Sequence, residues 1–356
     1  MAADNRTPAS GGDVAVTAIP AGERPTRELR DFVASDMFTI INGHALANAL
    51  FAFAESPLLA ELEATGAVDL PRAIDRHGLA PRHALGLMRY LATQDLFHEG
   101  AGEVFSPTER GRAALANGGL GLLQMYRGGY GELMTRAIEL MQGTVGYGPE
   151  LERDGHWVAL GSSKMTHAIL DEVPYQVLER MGHRRLADLG CGAGDFLIDF
   201  VRRDPAHAGV GVDISAEAIE LANRKAREAG VADRARFVVG DCFDLGVLTA
   251  HCREVDVFYA FGMEHEHRRD GDEAVLRHID GMAEAFRGKS YLLGEPMLHM
   301  TANDGMFYWI HILSHQGMPL NVPGWSQLLA GLRRARLREV FVPDHQRFGA
   351  YFDIAL

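Results

Sequence analysis

The sequence predicts an α/β chain: a helical N-terminal part followed by a domain built on a mostly parallel, seven-stranded sheet. Three observations carry that expectation. From residue 185 onward, short apolar runs suited to buried strands alternate with helix-like segments such as SAEAIELANRKAREAG. A glycine-rich turn, LGCGAG, closes the first of these runs. Before residue 105, apolar residues instead recur at three- and four-residue intervals, the period of helices.

Residues 1–26 are rich in Gly, Ala, Pro and Ser and lack a basic segment followed by an apolar core, so they read as a disordered lead-in and not a secretory signal. RELRDFVASDMFTIINGHALANALFAFAE follows as helix. Its most apolar stretch, HALANALFAFAESPLLA, is broken by Glu55 and Pro57 and reads as too short to span a bilayer. Shorter helices are expected around DLPRAIDRHG, with Gly78 as its C-cap, and PRHALGLMRYLATQDLF. HEGAGEVFSPTERG then reads as a small β-wing turning on Gly100 and Gly102. Helix, turn, helix and wing over 27–115 is a winged-helix-like layout. Such a module either reads DNA, here through Arg82, His83 and Arg89, or packs subunits together.

Residues 116–180 read as a helical linker lining a substrate pocket, with glycine-rich breaks at GGLGLL and MYRGGYGEL and a loop at GTVGYGPELERDGHW. In the last part, 181–356, five buried strands are expected in HRRLADLG, AGVGVDI, ARFVVGD, EVDVFYAFG and KSYLLGEPML. LREVFVPDHQRFGAYFDIAL closes as an antiparallel hairpin.

With 47% hydrophobic and 23% charged residues, the composition is that of an ordinary globular protein. A formal net charge of −13 argues against nucleic-acid or anionic-membrane partners and favours the subunit-packing reading, hence a homodimer. The 3 cysteines, Cys191, Cys242 and Cys252, have no C-x-x-C spacing and point to a reducing cytoplasm.

LADLGCGAGDF places Asp188, Gly190, Gly192 and Gly194 where a strand meets its helix. The dinucleotide fingerprint needs glycine at position 195, where this chain has Asp195. The loop instead resembles the D-x-G-x-G-x-G turn of class I S-adenosyl-L-methionine (SAM) methyltransferases, which are Rossmann-like. The resemblance implies that Asp213, ending VGVD, accepts the ribose hydroxyls and that Asp241, in VVGDCF, accepts the adenine amino group, with Cys242 and Phe243 lining the base. The helical part resembles the dimerisation domain of plant-type small-molecule O-methyltransferases.

FGMEHEHRRD leaves the end of the fourth strand. In plant-type O-methyltransferases a histidine there removes a proton from the substrate hydroxyl, a role that would fall to His265, with Glu295 of LLGEPML steadying it. The stretch also resembles the metal-dependent α-keto acid C-methyltransferases, which supply β-methyl amino acids for peptide antibiotics. That resemblance implies His265 and His315, the latter in FYWIHILSHQGMPL, as ligands of a non-haem iron or zinc ion. It also implies Arg153, in ELERDGHW, as a clamp for the substrate carboxylate, and Glu266 as the residue that orients substrate. His311 and His315 lie four apart on one helical face, so that pair could itself hold a metal. His267 reads as polarity on a charged loop, and Glu264, Glu266 and Asp272 as acids near the site that would suit a basic substrate.

The chemistry agrees with a metal, because a carbon beside a keto group becomes nucleophilic only on enolisation and a chelated cation stabilises the enolate. The expected activity is therefore SAM-dependent methylation of the β-carbon of an α-keto acid, whether aromatic, indolic, aliphatic or 2-ketoarginine. Its rivals are a metal-free O-methyltransferase with His265 as base, and a SAM-binding regulator without catalysis.

Overall fold

The computed structural model describes residues 36–148, 150–170, 172–297, 305–314, 319–343 and 349–356. The lead-in over 1–26 lies outside the described residues.

Three short strands, β1 (Val68–Asp69), β2 (Phe97–Gly100) and β3 (Val104–Pro107), form an antiparallel sheet in the order β1-β3-β2. Helices Pro57–Thr65, Leu70–His77 and Pro81–Thr93 pack on it through Leu58, Leu70, Met88 and Leu91. Asp69 caps the second of these by accepting from the Arg72 N–H, and Gly78, with φ 64°, ends it as expected. The wing turns at Gly102 (φ 72°) and Glu103 (φ 58°). Arg89 faces this wing and pairs with Glu99 at 2.8 Å and Glu103 at 3.5 Å, so its charge is already engaged.

The first described helix, Met37–Ala54, corrects the reading of its apolar stretch. It starts earlier than HALANAL suggests, carries no charged residue over 18 positions, and has a mean hydropathy of 1.4, which is long and apolar enough to cross a membrane by length and composition alone. Its C-terminal end is buried at Phe53 and Ala54, while Met37, Phe38, Ile40 and Ile41 at the other end are exposed.

Of the two glycine-rich breaks expected in the middle segment, MYRGGYGEL does interrupt the helix, at Tyr130, whereas the glycines of GGLGLL do the opposite. Helix Asn117–Leu123 runs straight into a π-helical turn, Gln124–Gly129, and lies along helix Gly155–Leu170. A Cβ on Gly121 would sit 2.7 Å from the Gly161 carbonyl oxygen, and one on Gly161 would sit 2.5 Å from that of Gly121. Gly128 and Gly129 likewise leave room for Trp157 and Val158. At Gly121 and Gly161 two helix backbones touch, and at Gly128 and Gly129 a helix receives the side chains of its neighbour.

The large sheet holds β4 (Arg185–Leu189), β5 (Ala208–Asp213), β6 (Ala235–Val239), β7 (Val257–Phe261), β8 (Ser290–Pro296), β9 (Arg336–Phe341) and β10 (Gly349–Ala355) in the order β6-β5-β4-β7-β8-β10-β9. β10 is antiparallel to both neighbours and the rest are parallel, so all seven expected strands are present. Alternate residues feed two separate cores, Phe258 and Ala260 on one face and Val257 and Tyr259 on the other. Both faces are covered by helices, which is why the strands read as continuous apolar runs. Strand order reverses between β4 and β7, where ligands of open α/β sheets bind beyond the strand ends.

Replacing Gly161 with Val is expected to force the two touching helices apart and destabilise the protein by about 1–3 kcal/mol. Chemical denaturation followed by circular dichroism measures this, and an unchanged midpoint would remove the close-contact explanation.

Candidate active site

The two loops at the strand-order reversal touch each other. Gly190, Gly192 and Gly194 have φ of 71°, 51° and 80°, left-handed values that a side chain would strain. A Cβ on Gly190 would lie 2.5 Å from Sδ of Met263 in the loop after β7, and one on Gly194 would meet Phe237 at 2.6 Å. The glycine turn is thus pressed against the sheet while its N–H groups lead into helix Asp195–Arg203.

Asp213, at the end of β5, reaches across to this turn. Its Oδ2 accepts from the Gly192 N–H at 2.8 Å and its Oδ1 from the Ser215 N–H at 2.8 Å. Asp188, Gly190, Gly192 and Asp213 line one cavity, joined by Phe196 and Tyr259 and roofed by Ala159, Ser162 and Ser163 of the 155–170 helix. Tyr175, Phe196 and Tyr259 form a stack with ring centroids 4.7 and 4.3 Å apart, a wall that no motif in the sequence indicates. Asp241, Cys242 and Phe243 lie outside this cavity's lining. Asp241 accepts from the Phe243 N–H at 2.9 Å, Cys242 is buried, and the Phe243 ring lies 3.5 Å from that of His267.

Burial, with Asp213 nearby as a second cause, pushes the Asp188 carboxyl up to about 8. In the unfolded chain it ionises near 3.8, so between those values the native state keeps a proton that the unfolded state has lost. The stability from this group is therefore present at low pH and lost as pH rises toward 8. Asp188→Asn cannot ionise. In cofactor-free protein its Tm advantage over wild type is expected to widen by roughly 5 °C between pH 5 and pH 8; calorimetry at the two values checks it, and a constant gap contradicts it.

Beyond β7, Gly262 takes φ 68° and a one-turn helix, Glu264–His267, follows. His265 is buried on it. Glu295, fully buried on β8, accepts from the His265 Nδ1–H at 2.8 Å and from the backbone N–H groups of Glu264 (2.8 Å) and His265 (3.3 Å). Burial works against a charged His265 ring, but Glu295 outweighs it and holds the imidazole above its ordinary pKa.

The Nε2 of His265 faces the Nε2 of His311 at 3.4 Å. His311 lies on helix Gly305–Ser314, which docks through Ile310 and Leu313 onto Met125, Tyr130 and Leu133 of the middle segment. Its Nδ1–H donates to the Phe307 carbonyl at 2.6 Å. His315, expected as the second ligand, lies outside the described residues.

The loop expected to carry a clamp folds back on the site. The Asp154 N–H bonds the Gly129 carbonyl at 2.9 Å, and Arg153 meets Glu266 at 2.8 Å and the Tyr130 hydroxyl at 3.2 Å. Tyr130 and Tyr147, whose hydroxyls burial pushes up in pKa, flank this pair and were not foreseen.

Of the three acids expected near substrate, only Glu266 faces Arg153. Glu264 is fully buried and turns toward His278 and Tyr291, because successive residues of a helical turn point in different directions. Asp272 is exposed and pairs with Arg268. His267 is not loop polarity either: its side chain is 21% exposed and packs on Phe243.

A methyltransferase-domain family profile matches residues 186–284, from β4 through the glycine turn to the helix after Glu264–His267. Over 185 residues the chain is 31% identical to the 2-ketoarginine methyltransferase of Streptomyces arginensis, which covers 49% of this chain and 50% of that protein. The chain thus spans about half the length of this curated relative. The solved structure of a mitomycin 7-O-methyltransferase superposes with a TM-score of 0.67 at 16% identity, covering 93% of this chain and 99% of that one. The N,N-8-amino-8-demethyl-D-riboflavin dimethyltransferase of Streptomyces davawensis gives 0.57 at 17%, covering 90% and 98%. At such identities the structural likeness shows the fold. Residues 186–284 therefore carry a methyltransferase domain, set in a chain whose fold, a helical part followed by a seven-stranded sheet, is that of these structures.

Proposed function

We propose that this chain methylates the β-carbon of a small α-keto acid, and one observation carries the reading: two imidazole Nε2 atoms 3.4 Å apart beside the Arg153–Glu266 pair. Glu295 and the Phe307 carbonyl engage the two Nδ1 atoms, which turns both Nε2 lone pairs toward each other. Two histidine nitrogens on one zinc ion, each at about 2.1 Å and at a near-tetrahedral angle, lie about 3.4 Å apart. The donor set and spacing of His265 and His311 thus fit a zinc or iron ion. A bound cation would supply Lewis-acid stabilisation of charge on a keto oxygen. Bound SAM would supply the electrophilic methyl group.

The remaining roles belong to the chain. Glu295 keeps the His265 ring in one tautomer and one orientation. Arg153, steadied by Tyr130, holds the substrate carboxylate as a fork. Glu266, parted from Arg153 by that carboxylate, presents its own charge to the substrate, which suits a guanidinium such as that of 2-ketoarginine, the compound named in the S. arginensis relative. The 155–170 helix lines one side of the cofactor cavity and so helps to hold the reacting groups in a fixed arrangement.

A second reading, O-methylation with His265 as general base, is favoured by the buried His265–Glu295 pair alone. The two part on the location of the methyl group and on His311. Mass spectrometry after incubation with SAM, keto acids and phenols is expected to find the label on carbon. His311→Ala is expected to lower kcat/KM by at least about 100-fold, beyond the effect of losing an outer-shell partner. Full activity of chelator-stripped enzyme on a phenol would leave only O-methylation.

The exposed apolar end of helix Met37–Ala54 supports a homodimer, and the free, buried state of Cys191, Cys242 and Cys252 supports a reducing compartment such as the cytoplasm. Sedimentation is expected to show a dimer that Phe38→Glu with Ile41→Glu converts to monomer. A wild-type monomer would end the dimer proposal.

A further inference from the structure

Behind His265, on the opposite side of the same helical turn, sits a second group of metal-type donors that the proposed reaction does not use. Glu264 and His267 are three apart on the Glu264–His267 turn and so share a face. His278 comes to them from helix Asp272–Ala285. Glu264 is fully buried, and its Oε1 accepts from His278 Nδ1–H at 2.8 Å and from the Tyr291 hydroxyl at 3.0 Å.

The other oxygen is the informative one. Glu264 Oε2 lies 3.3 Å from His267 Nδ1 without a hydrogen bond between them. Among the described residues, Glu264 Oε2, His267 Nδ1 and His278 Nε2 are all buried with no hydrogen-bond partner. Native structures seldom leave such atoms unsatisfied, and here Glu264 Oε2 and His267 Nδ1 meet only each other, as an ion pair at 3.3 Å, while His278 Nε2 has no hydrogen-bond partner. Each of the three residues offers one donor atom within 4.8 Å of the others. The rings of His267 and His278 stand at 89° with centroids 5.1 Å apart, and Phe243 covers His267 at 3.5 Å.

We infer that Glu264, His267 and His278 form a binding site for a divalent cation of zinc type, distinct from the His265–His311 pair. Two imidazoles and a carboxylate are a common zinc donor set, with a fourth position left for water. Donors of a tetrahedral zinc ion lie roughly 3.3 Å apart, so capture draws the cluster inward by about 1 Å or slightly more. The ion would staple the turn that carries His265 to helix Asp272–Ala285 and seat the ring of Phe243. It touches no substrate, so its role is structural.

The test uses full-length protein stripped with chelator and titrated with zinc against a chromophoric competitor, with cobalt as a spectroscopic probe. Wild type and His311→Gln are both expected to bind zinc at this site. His278→Gln and His267→Phe are expected to lose about tenfold or more in its affinity, with the tetrahedral cobalt bands lost too. His267→Phe keeps a flat ring at a partly exposed position, and circular dichroism verifies that both variants are folded. Zinc binding lost only in His311→Gln would overturn this inference and leave the reaction-site metal standing. Zinc lost only in the His267 and His278 variants would support it and remove the reaction-site metal. Equal zinc uptake by wild type, His267→Phe and His278→Gln would also overturn it, leaving the cluster to ordered water.

Discussion

One buried carboxylate holds the reaction site together. Taking a carboxylate out of water costs several kcal/mol unless its oxygens are fully used. Glu295 meets that demand with three donors: the His265 ring and the backbone N–H groups of Glu264 and His265. The same three contacts fix where the Glu264–His267 turn begins, which nitrogen of His265 carries the proton, and where the other nitrogen points. Glu295 in turn is placed by β8, whose register is set by β7 on one side and β10 on the other. The sheet therefore aims the imidazole with no loop in between.

From that anchored turn the neighbouring side chains diverge by the rotation of a helix, roughly 100° per residue. His265 goes to Glu295 and His311, Glu266 to Arg153, and Glu264 inward to His278 and Tyr291. Three consecutive residues thus serve three different environments. The cofactor side depends on a similar economy of space, since Gly190 yields its side-chain volume to Met263 and brings the loops after β4 and β7 into contact.

What was legible in the sequence follows from what each signal encodes. The five parallel strands of the large sheet could be read because helices on both faces make them apolar runs, and the glycine turn because its backbone angles require glycine. The stretch EHEH was harder. Read as an extension of a strand, its alternation groups His265 with His267; as a helical turn it groups Glu264 with His267, and only the fold decides between the periods. The place of His311 was equally hidden, since the sequence offers it only as a residue four before His315, and its position beside His265 depends on the packing of Ile310 and Leu313 on the middle segment. The glycines of GGLGLL misled because glycine marks both a break and a close contact, and sequence alone does not show the helix lying against them.

The crossing of Gly121 and Gly161 also bears on how the cofactor chamber admits its occupant. Helix Gly155–Leu170 contributes Ala159, Ser162 and Ser163 to that chamber's roof, yet on its other side its main chain rests directly on another main chain. Interlocked side chains can be repacked by rotamer changes, whereas backbone resting on backbone has no such freedom. Any movement of helix Gly155–Leu170 away from the cavity would therefore carry helix Asn117–Leu123 with it.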